Sequence, residues 1–388
     1  MRALAILGMV YMHVSPSGWL NPRSFADQPA ALAWIESAVS GRAMSLFVLL
    51  AGISVALMTG GSRPPRGESL RSARRRLAIR AVVLLLISLL VDQLSGMNLS
   101  ILEFYALWML LLLPLLRLRP RTLLTAAAVT GVVLPIFCFV VLNYGRSWAI
   151  SPFSGGEQPA YGLFLLLQPQ DWLAKLKQLL VGGGFQTPYA IPLLLAGLAI
   201  GRLDLRSAAV RRTLAICGAG LVVVSWSLSR FALGPLGAEQ ALVAMMSGSG
   251  PLLQPWTSLL TLPPHQLYAL SIPMAPFMLG VGLLLVAAFL ALLELSFWRS
   301  LLAPLGAAGR LALTWYAAHL VFIERIAGEP PYAFTWFSGM TLFALLFSPL
   351  WLRRWRRGPL ESLMHRATLL SSSRTTEAVP EPVVPGRS

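Results

Sequence analysis

The sequence predicts an all-α fold, a polytopic membrane bundle of about ten transmembrane helices with both termini in the cytoplasm. Three observations support this class. Hydrophobic residues make up 56% of the 388 residues, charged residues only 12%, and the mean hydropathy is +0.70. Long runs without charge are separated by loops, and arginines concentrate in alternate loops. Ordinary soluble domains carry about twice this share of charged residues, so the composition argues against a soluble fold.

Each span is placed on an apolar run of roughly 20 residues, the length that a helix needs to cross about 30 Å of hydrocarbon. Two other apolar stretches, 161–181 and 251–272, carry tryptophan and, in the second, Pro-Pro. They are predicted to lie at the external interface or to re-enter the membrane without crossing it. The ten predicted spans are residues 2–20, 40–60, 77–95, 100–116, 122–142, 187–202, 212–233, 274–297, 309–326 and 335–352.

Arginine clusters in alternate loops predict the orientation of the chain. The loop over residues 62–76 holds six arginines, and similar clusters occupy 117–121, 201–212 and 353–357. The intervening loops are longer and poorer in positive charge, so the positive-inside rule puts the clustered loops and both termini in the cytoplasm. The formal net charge of +16 follows from this bias and does not indicate a nucleic-acid partner.

The composition changes near the C-terminus. Residues 1–357 form the predicted membrane domain, and residues 358–388, rich in Ser, Thr, Glu and Pro, are predicted to be a disordered cytoplasmic tail. Cys138 and Cys217 lie in apolar runs, which does not fit a disulfide framework or a cysteine-based metal site. The sequence has no glycine-rich phosphate loop and no metal-ligand motif, so we predict neither a nucleotide-hydrolysing pump nor a metal cofactor.

Two histidines lie inside predicted spans, where an ionisable side chain is a candidate functional group. His319 is nine positions beyond Arg310, which places it roughly 13 Å into the membrane from the cytoplasmic side. His13 is eleven positions beyond Arg2 and lies roughly 16 Å in. These depths are close to the middle of the membrane, and we expect both imidazoles to face a site in the outer half of the bundle. The alternative is that each ring only donates a hydrogen bond to a backbone carbonyl.

Charged side chains from other spans reach a similar depth. Asp92 ends the third span, Glu103 opens the fourth and Arg42 opens the second, all at the external side. Glu324 and Arg325 lie in the outer part of the ninth span. A shared polar site that opens to the external face is the simplest common interpretation. The alternatives are snorkelling or capping at the membrane boundary, and a structural ion pair between the ninth span and Glu103 or Arg42.

Four short segments carry a resemblance to a known family. They are RALAILGMVYMHV at 2–14, GRAMSLFVLLAGISVALM at 41–58, LLLAGLAIGRLDL at 193–205 and AAGRLALTWYAAHLV at 307–321. In these segments the chain resembles the bacterial YeiB-like proteins and the bacterial relatives of heparan-alpha-glucosaminide N-acetyltransferase. The resemblance implies a multi-pass enzyme of the bacterial cytoplasmic membrane. Such an enzyme moves an acetyl or other acyl group from cytoplasmic acyl-CoA to a hydroxyl or amine, often of a sugar or glycoconjugate, at the external face.

The implied transfer needs a general base for the acceptor and hydrogen-bond donors for the thioester oxyanion. A histidine held by a carboxylate is the usual base, and a guanidinium can stabilise negative charge or hold an anionic acceptor. The candidates are His13 and His319 for the base, Glu324, Asp92 and Glu103 for the carboxylate, and Arg42 and Arg325 for the cation.

Binding of an acetyl-CoA or acyl-CoA donor needs cations for the adenosine phosphates, and the cytoplasmic loops provide them. The alternative is that these arginines only set the topology or bind the headgroups of anionic membrane lipids. A homodimer is left open. The candidate donor-binding residues are Arg74, Arg75, Arg76, Arg80 and Arg119.

A transporter or flippase for a small or lipid-linked anionic solute is the alternative function. It too would place paired charges near the middle of the membrane. The sequence LLAG recurs at 49–52 and 194–197, which is weak support for a repeat of spans. Binding of acyl-CoA distinguishes the two functions, because a transporter of another solute should be indifferent to it.

Overall fold

All regular elements in the described part of the chain are helices. The computed structural model describes residues 1–14, 39, 41–98, 100–144, 159–182, 187–246, 255–262, 271–326 and 333–369. These ranges contain no β-strand, and the predicted all-α membrane class is confirmed. The helices are α1 (Arg2–Val14), α2 (Arg42–Met58), α3 (Gly67–Ser95), α4 (Leu102–Leu112), α5 (Pro120–Tyr144), α6 (Phe164–Leu167), α7 (Trp172–Lys177), α8 (Thr187–Ile200), α9 (Ala208–Leu233), α10 (Ala238–Met246), α11 (Met274–Leu292), α12 (Ser296–Leu301), α13 (Ala303–Arg310), α14 (Ala312–Ile326), α15 (Ala333–Arg354) and α16 (Pro359–Leu369).

Five of the described helices, α3, α5, α9, α11 and α15, are long and apolar enough to cross a membrane. The apolar helices α1, α2, α8 and α14 are shorter. The predicted span 2–20 continues past α1 into residues outside the described ranges, and the predicted span 100–116 is α4 followed by the 3-10 turn Leu113–Arg117. Each predicted span thus overlaps a helix, while the number of spans that cross the membrane stays a prediction.

Burial divides these helices into an inner and an outer group. Helix α8 is central, because twelve of its fourteen residues are buried and it packs against α2, α5 and α11. In α5 and α9 only 22% of the apolar segment is buried inside the protein. Exposed valines, such as Val129 and Val223, lie on their outward faces. Apolar faces of this kind suit contact with lipid chains.

Helices α2 and α8 approach each other closely at two glycines. A Cβ atom added to Gly52 would lie 2.3 Å from the carbonyl oxygen of Leu194, and one added to Gly197 would lie 2.3 Å from the carbonyl oxygen of Leu49. The two LLAG segments therefore face each other in a reciprocal contact. Glycine is needed here because any side chain would separate the two backbones, as in other helix pairs that pack through small residues.

At one end of the same helix pair, a buried arginine forms hydrogen bonds with backbone carbonyl oxygens. The guanidinium of Arg202, just after α8, donates to the carbonyl oxygens of Thr59 at 3.1 Å, Gly61 at 3.0 Å and Leu116 at 3.0 Å. It also donates to the Thr59 hydroxyl at 3.1 Å. These carbonyls follow α2 and α4, and backbone oxygens at helix ends have no partner within their own helix. A cation there is favoured by the helix dipole as well.

The C-terminal helix α16 belongs to the bundle. It packs against α3 and α14. Leu360, Met364 and Thr368, four residues apart, lie on one helical face, and Met364 is buried in the core. This helix falls within residues 358–388, the segment predicted to be a disordered tail, whose remainder from 370 lies outside the described ranges. Residues 359–369 form a helix because of this short apolar stripe. The composition of the whole segment 358–388 does not reveal so short a pattern.

Gly197→Ala should destabilise the protein, because the added Cβ would collide with the backbone of α2. Overpacking of this kind costs roughly 1–3 kcal/mol, and a backbone carbonyl cannot rotate away as a side chain can. We expect a lower thermal unfolding midpoint in detergent. Gly220→Ala is the matched control, because a Cβ on Gly220 in α9 meets nothing within 4 Å. Equal midpoints for the two variants would contradict the close crossing of α2 and α8.

Candidate active site

The structure brings His13 and His319 together. Nδ1 of His13, at the end of α1, lies 3.1 Å from Nε2 of His319 in α14. The rings are nearly parallel, with an interplanar angle of 16°, and the residues are 8% and 2% exposed. Two neutral polar rings that are removed from water in this way satisfy each other by one hydrogen bond. They form a histidine pair that joins two segments about 300 positions apart in the sequence.

The tautomers of this histidine pair follow from a contact between His319 and a backbone carbonyl. Nδ1 of His319 lies 3.3 Å from the carbonyl oxygen of Trp315, which can only accept a hydrogen bond. Nδ1 of a neutral His319 therefore carries the proton, and its Nε2 is an acceptor. His13 must then donate from Nδ1, which leaves the lone pair on its own Nε2. The assignment makes His13 the ring that can take up a proton and His319 the ring that orients it.

Tyr316 lies next to the histidine pair, one turn before His319. Its ring meets that of His319 edge-on, with centroids 5.0 Å apart, and stacks near Phe47 of α2 at 6.3 Å. Its hydroxyl accepts a hydrogen bond of 2.8 Å from the backbone N–H of Ile101. Tyr316 is 1% exposed, so this tyrosine is held by contacts from three directions.

A cavity of about 780 Å³ begins on the other side of Tyr316. Its inner wall is apolar and aromatic, with Phe47, Tyr105 and Leu102 among the residues that line it. Its mouth lies where α1 begins and where α13 meets α14. The polar and charged residues that line the cavity are Arg2, Ser54, Arg80, Arg310, Arg356, Arg357, Glu361 and His365.

Five arginines line this cavity, and the four exposed ones, Arg2, Arg310, Arg356 and Arg357, mark its mouth. Arg2 donates to the Ser54 hydroxyl at 2.6 Å, and Arg310 donates to the carbonyl oxygen of Arg356 at 2.9 Å. The Nε–H group of Arg80 is buried and has no hydrogen-bond partner among the described residues. Buried donors in native proteins are almost always paired, so this N–H in the cavity wall is open to water or to another acceptor in the cavity.

Two carboxylates from the predicted site hold the neighbouring turn between α3 and α4. Asp92 accepts a hydrogen bond of 3.1 Å from the backbone N–H of Ser100, and Glu103 pairs with Lys175 at 2.7 Å. Both partners of this ion pair are 3% exposed. Ser100 directly precedes Ile101, whose backbone N–H binds the Tyr316 hydroxyl, so Asp92 is linked to Tyr316 through two neighbouring backbone groups.

The other two predicted catalytic residues are Arg42 and Glu324. The guanidinium carbon of Arg42, at the start of α2, lies 5.7 Å from the ring centroid of Phe277 in α11. This distance fits a cation–π contact. Glu324 lies in the last turn of α14, and its side chain lies outside the described residues.

The predicted donor-binding arginines divide into two groups. Arg80 lines the cavity, whereas Arg74, Arg75, Arg76 and Arg119 are not among the residues that line it. Arg74 donates to the carbonyl oxygen of Leu113 at 3.0 Å, which ties α3 to the end of α4. The other three are exposed.

Sequence reasoning missed most of the cavity arginines. The depths of the two histidines were counted from Arg2 and Arg310, which were therefore assigned to the cytoplasmic end of the bundle and to no site. Arg356 and Arg357 belong to a cluster that was interpreted only as a topology signal. His365, a further residue missed, lies in the segment predicted to be a tail. Among the described residues, no group of three or more His, Cys, Asp or Glu could hold a metal ion.

Comparison with known proteins matches both ends of the chain. Residues 1–146 match the family described as heparan-alpha-glucosaminide N-acetyltransferase, catalytic. Residues 239–371 match the family described as a protein of unknown function, DUF418. No curated protein and no solved structure matches the chain. His13 lies in the first matched segment and His319 in the second. Each match covers less than half of the chain, and together they support the predicted resemblance to YeiB-like and heparan-alpha-glucosaminide N-acetyltransferase-like proteins.

Proposed function

We propose that the protein transfers an acetyl or other acyl group from cytoplasmic acyl-CoA to a hydroxyl or amine of a sugar or glycoconjugate at the external face. One observation carries the proposal. A cavity lined by five arginines reaches Tyr316, and the ring of Tyr316 meets that of His319 in the histidine pair. The cavity offers cations to an anionic donor, and the pair offers a base to an acceptor. The family match supports an acetyltransferase of this kind.

The donor would bind with its phosphates at the arginines and its acyl arm along the apolar wall. Guanidinium groups bind phosphate oxygens by paired, charge-assisted hydrogen bonds. The orphaned Nε–H of Arg80 supplies one such donor within the cavity. His319 lies seven positions beyond Ala312, where α14 begins, so the arm has to span roughly 10 Å along this helix between the arginines and the histidine pair.

His13 would act as the general base and His319 as its positioning residue. Nε2 of His13 takes the proton from the acceptor, whose oxygen or nitrogen attacks the thioester carbonyl carbon. The carbon–sulfur bond breaks, and the proton passes from His13 to the leaving thiolate. His319 fixes the His13 ring in the tautomer that has its lone pair on Nε2. Asp92 and Glu103 shape the site by holding the turn that carries Ile101, the partner of Tyr316.

The proposed orientation is consistent with the contacts between segments. Arg2, Arg310 and Arg356, which share the cavity mouth, come from segments that the positive-inside rule places in the cytoplasm. Lys175, from a predicted external segment, pairs with Glu103, also predicted to be external. Each contact joins segments assigned to the same side. On these grounds we propose ten spans with cytoplasmic termini, and the bacterial cytoplasmic membrane is the location that the family resemblance implies.

The first test separates the cavity arginines from the loop arginines. The double variant Arg80→Gln, Arg357→Gln should weaken acetyl-CoA binding, measured by calorimetry on the purified protein. A hydrogen bond to a charged group contributes roughly 1.5–3 kcal/mol, so we expect a loss of about tenfold or more. The control is Arg75→Gln, Arg119→Gln, which removes the same charge from exposed positions outside the cavity. If only the control loses affinity, the loop arginines hold the phosphates and the cavity is not the donor site.

The second test concerns the histidine pair. His13→Ala should lower the rate of transfer from labelled acetyl-CoA to glucosamine by roughly 10²–10⁴-fold, because the general base is lost. Acetyl-CoA affinity should stay within twofold, because the cavity arginines are intact. His319→Gln should retain more activity than His319→Ala, since the amide oxygen can still accept a hydrogen bond from His13. Hydrolysis of acetyl-CoA gives the same comparison if glucosamine is not an acceptor. Full activity of both alanine variants would refute the assignment.

The third test concerns topology. A reporter fused after Glu68 should show a cytoplasmic location, and one fused after Gly155 should show an external location, because arginines cluster only in the first of these loops. Paired reporters that are active on opposite sides of the membrane measure both positions. Signals from the same side would rule out the proposed arrangement of the first five spans.

A further inference from the structure

The C-terminal helix α16 and the turn before it form one wall of the cavity mouth. Arg356 and Arg357 precede the helix, and Glu361, Met364 and His365 lie on its inner face. The proposed function uses the two arginines as cations and gives no role to Glu361. A carboxylate among five arginines would oppose an anionic ligand, so its presence needs a separate explanation.

Glu361 caps the first turn of α14, the helix that carries Tyr316 and His319. Its Oε1 accepts hydrogen bonds from the backbone N–H groups of Leu313 at 2.8 Å and Thr314 at 3.1 Å. Its Oε2 accepts a hydrogen bond of 2.6 Å from the Thr314 hydroxyl. The first N–H groups of a helix have no partner within the helix and favour a negative charge.

The chain offers no local substitute for this cap. Leu311 precedes α14, and a leucine side chain has no acceptor for the first-turn N–H groups. The return contact comes from the backbone N–H of Leu360, which lies 3.3 Å from the Thr314 hydroxyl oxygen. Glu361 therefore replaces a capping residue from 48 positions away and ties the start of α14 to the start of α16.

Two further hydrogen bonds hold the turn before α16. Arg310, at the end of α13, donates to the carbonyl oxygen of Arg356 at 2.9 Å. The indole N–H of Trp351, in α15, donates to the carbonyl oxygen of Arg357 at 2.9 Å. Both arginine side chains on this turn line the cavity. The position of these two side chains thus depends on contacts with α13, α15 and, through Glu361, α14.

We infer that Glu361 is a positioning residue of the donor site. Its carboxylate fixes the cavity wall formed by Arg356, Arg357 and α16 to the first turn of α14. The arginines that bind the donor phosphates are thereby held at a set distance from His319, which lies on the same helix α14 as the capped turn. The inference rests on the proposed function of the cavity. It also explains why the carboxylate does not repel the donor, since its charge is engaged by the N-terminus of α14.

The experiment compares Glu361→Ala, Glu361→Gln and the control Glu294→Ala in the full-length protein. Glu294 pairs with Arg211 and is 59% exposed, so its removal deletes a glutamate from an ion pair outside the cavity. Amide hydrogen exchange at 311–316 and 359–369 reports the cap directly. Calorimetry with acetyl-CoA and steady-state transfer to glucosamine, or hydrolysis in its absence, report its effect on the donor site.

We expect Glu361→Ala to speed exchange in both segments, to weaken acetyl-CoA binding at least tenfold and to raise KM for acetyl-CoA while kcat stays within about threefold. Glu361→Gln should recover most of the affinity, because the amide oxygen can still accept from both N–H groups. Glu294→Ala should match the wild type. A loss of kcat without a change in KM would indicate a merely structural effect on the histidine helix and overturn the inference.

Two other outcomes would also overturn the inference. Unchanged exchange in Glu361→Ala would mean that the carboxylate does not hold the two helices together. Faster exchange with acetyl-CoA affinity within twofold of the wild type would mean that the contact exists and has no bearing on the donor. If the wild type itself does not bind acetyl-CoA, the proposed function fails. Hydrogen exchange then still tells whether Glu361 caps α14, independently of any donor.

Discussion

Polar groups in the hydrocarbon layer have to find their hydrogen-bond partners inside the protein, because the lipid offers none. The same constraint applies to polar side chains that are buried in the protein away from water. Arg202 satisfies carbonyl oxygens that follow two helices, and Glu103 pairs with Lys175. His13 and His319 satisfy each other and the carbonyl of Trp315. Apart from the contact with Trp315, which lies within α14, these contacts link segments far apart in sequence, so satisfying the polar groups also specifies how the helices pack.

Close packing at glycines brings the helices near enough for these contacts to form. The reciprocal approach of Gly52 and Gly197 brings α2 and α8 together in the middle of the bundle. A second close approach, between Gly218 and Gly280, joins α9 and α11, where an added Cβ would lie 2.6–2.8 Å from a carbonyl oxygen. Lipid chains are as apolar as leucine, so helix association in a membrane depends on packing of this kind. With α2 held in this way, Phe47 and Ser54 face the cavity.

The sequence predicted the elements of this fold better than the partners of its charged groups. Apolar runs and arginine-rich loops predict helices, and depth counts along single helices put His13 and His319 at comparable levels. A depth count has no information about rotation around the helix axis, however. It could not indicate that Arg80 faces the cavity while Arg75 and Arg76 face outward.

Long-range partners were the other part that composition could not predict. Lys175 lies in a segment that was interpreted as interfacial, where a lysine is normally solvated, yet it is buried against Glu103. Glu361 lies in a segment whose composition is typical of disorder, yet it caps a helix 48 positions earlier. In both cases a charged side chain binds a complementary group on another helix. Hydrophobic periodicity and loop charge do not predict such a contact.

Helix α14 connects the parts of the site that the proposed function requires. Glu361 caps its first turn, Tyr316 closes the inner end of the cavity, and His319 orients His13 one turn further on. The ring of Tyr316 is tied at its hydroxyl to Ile101 and flanked by Phe47 and His319. Under the proposed function, the thioester has to reach His13 past this ring. The contacts of Tyr316 would then limit access from the cavity to the histidine pair, and the turn between α3 and α4, which Asp92 holds, would have to move for the hydroxyl to be released.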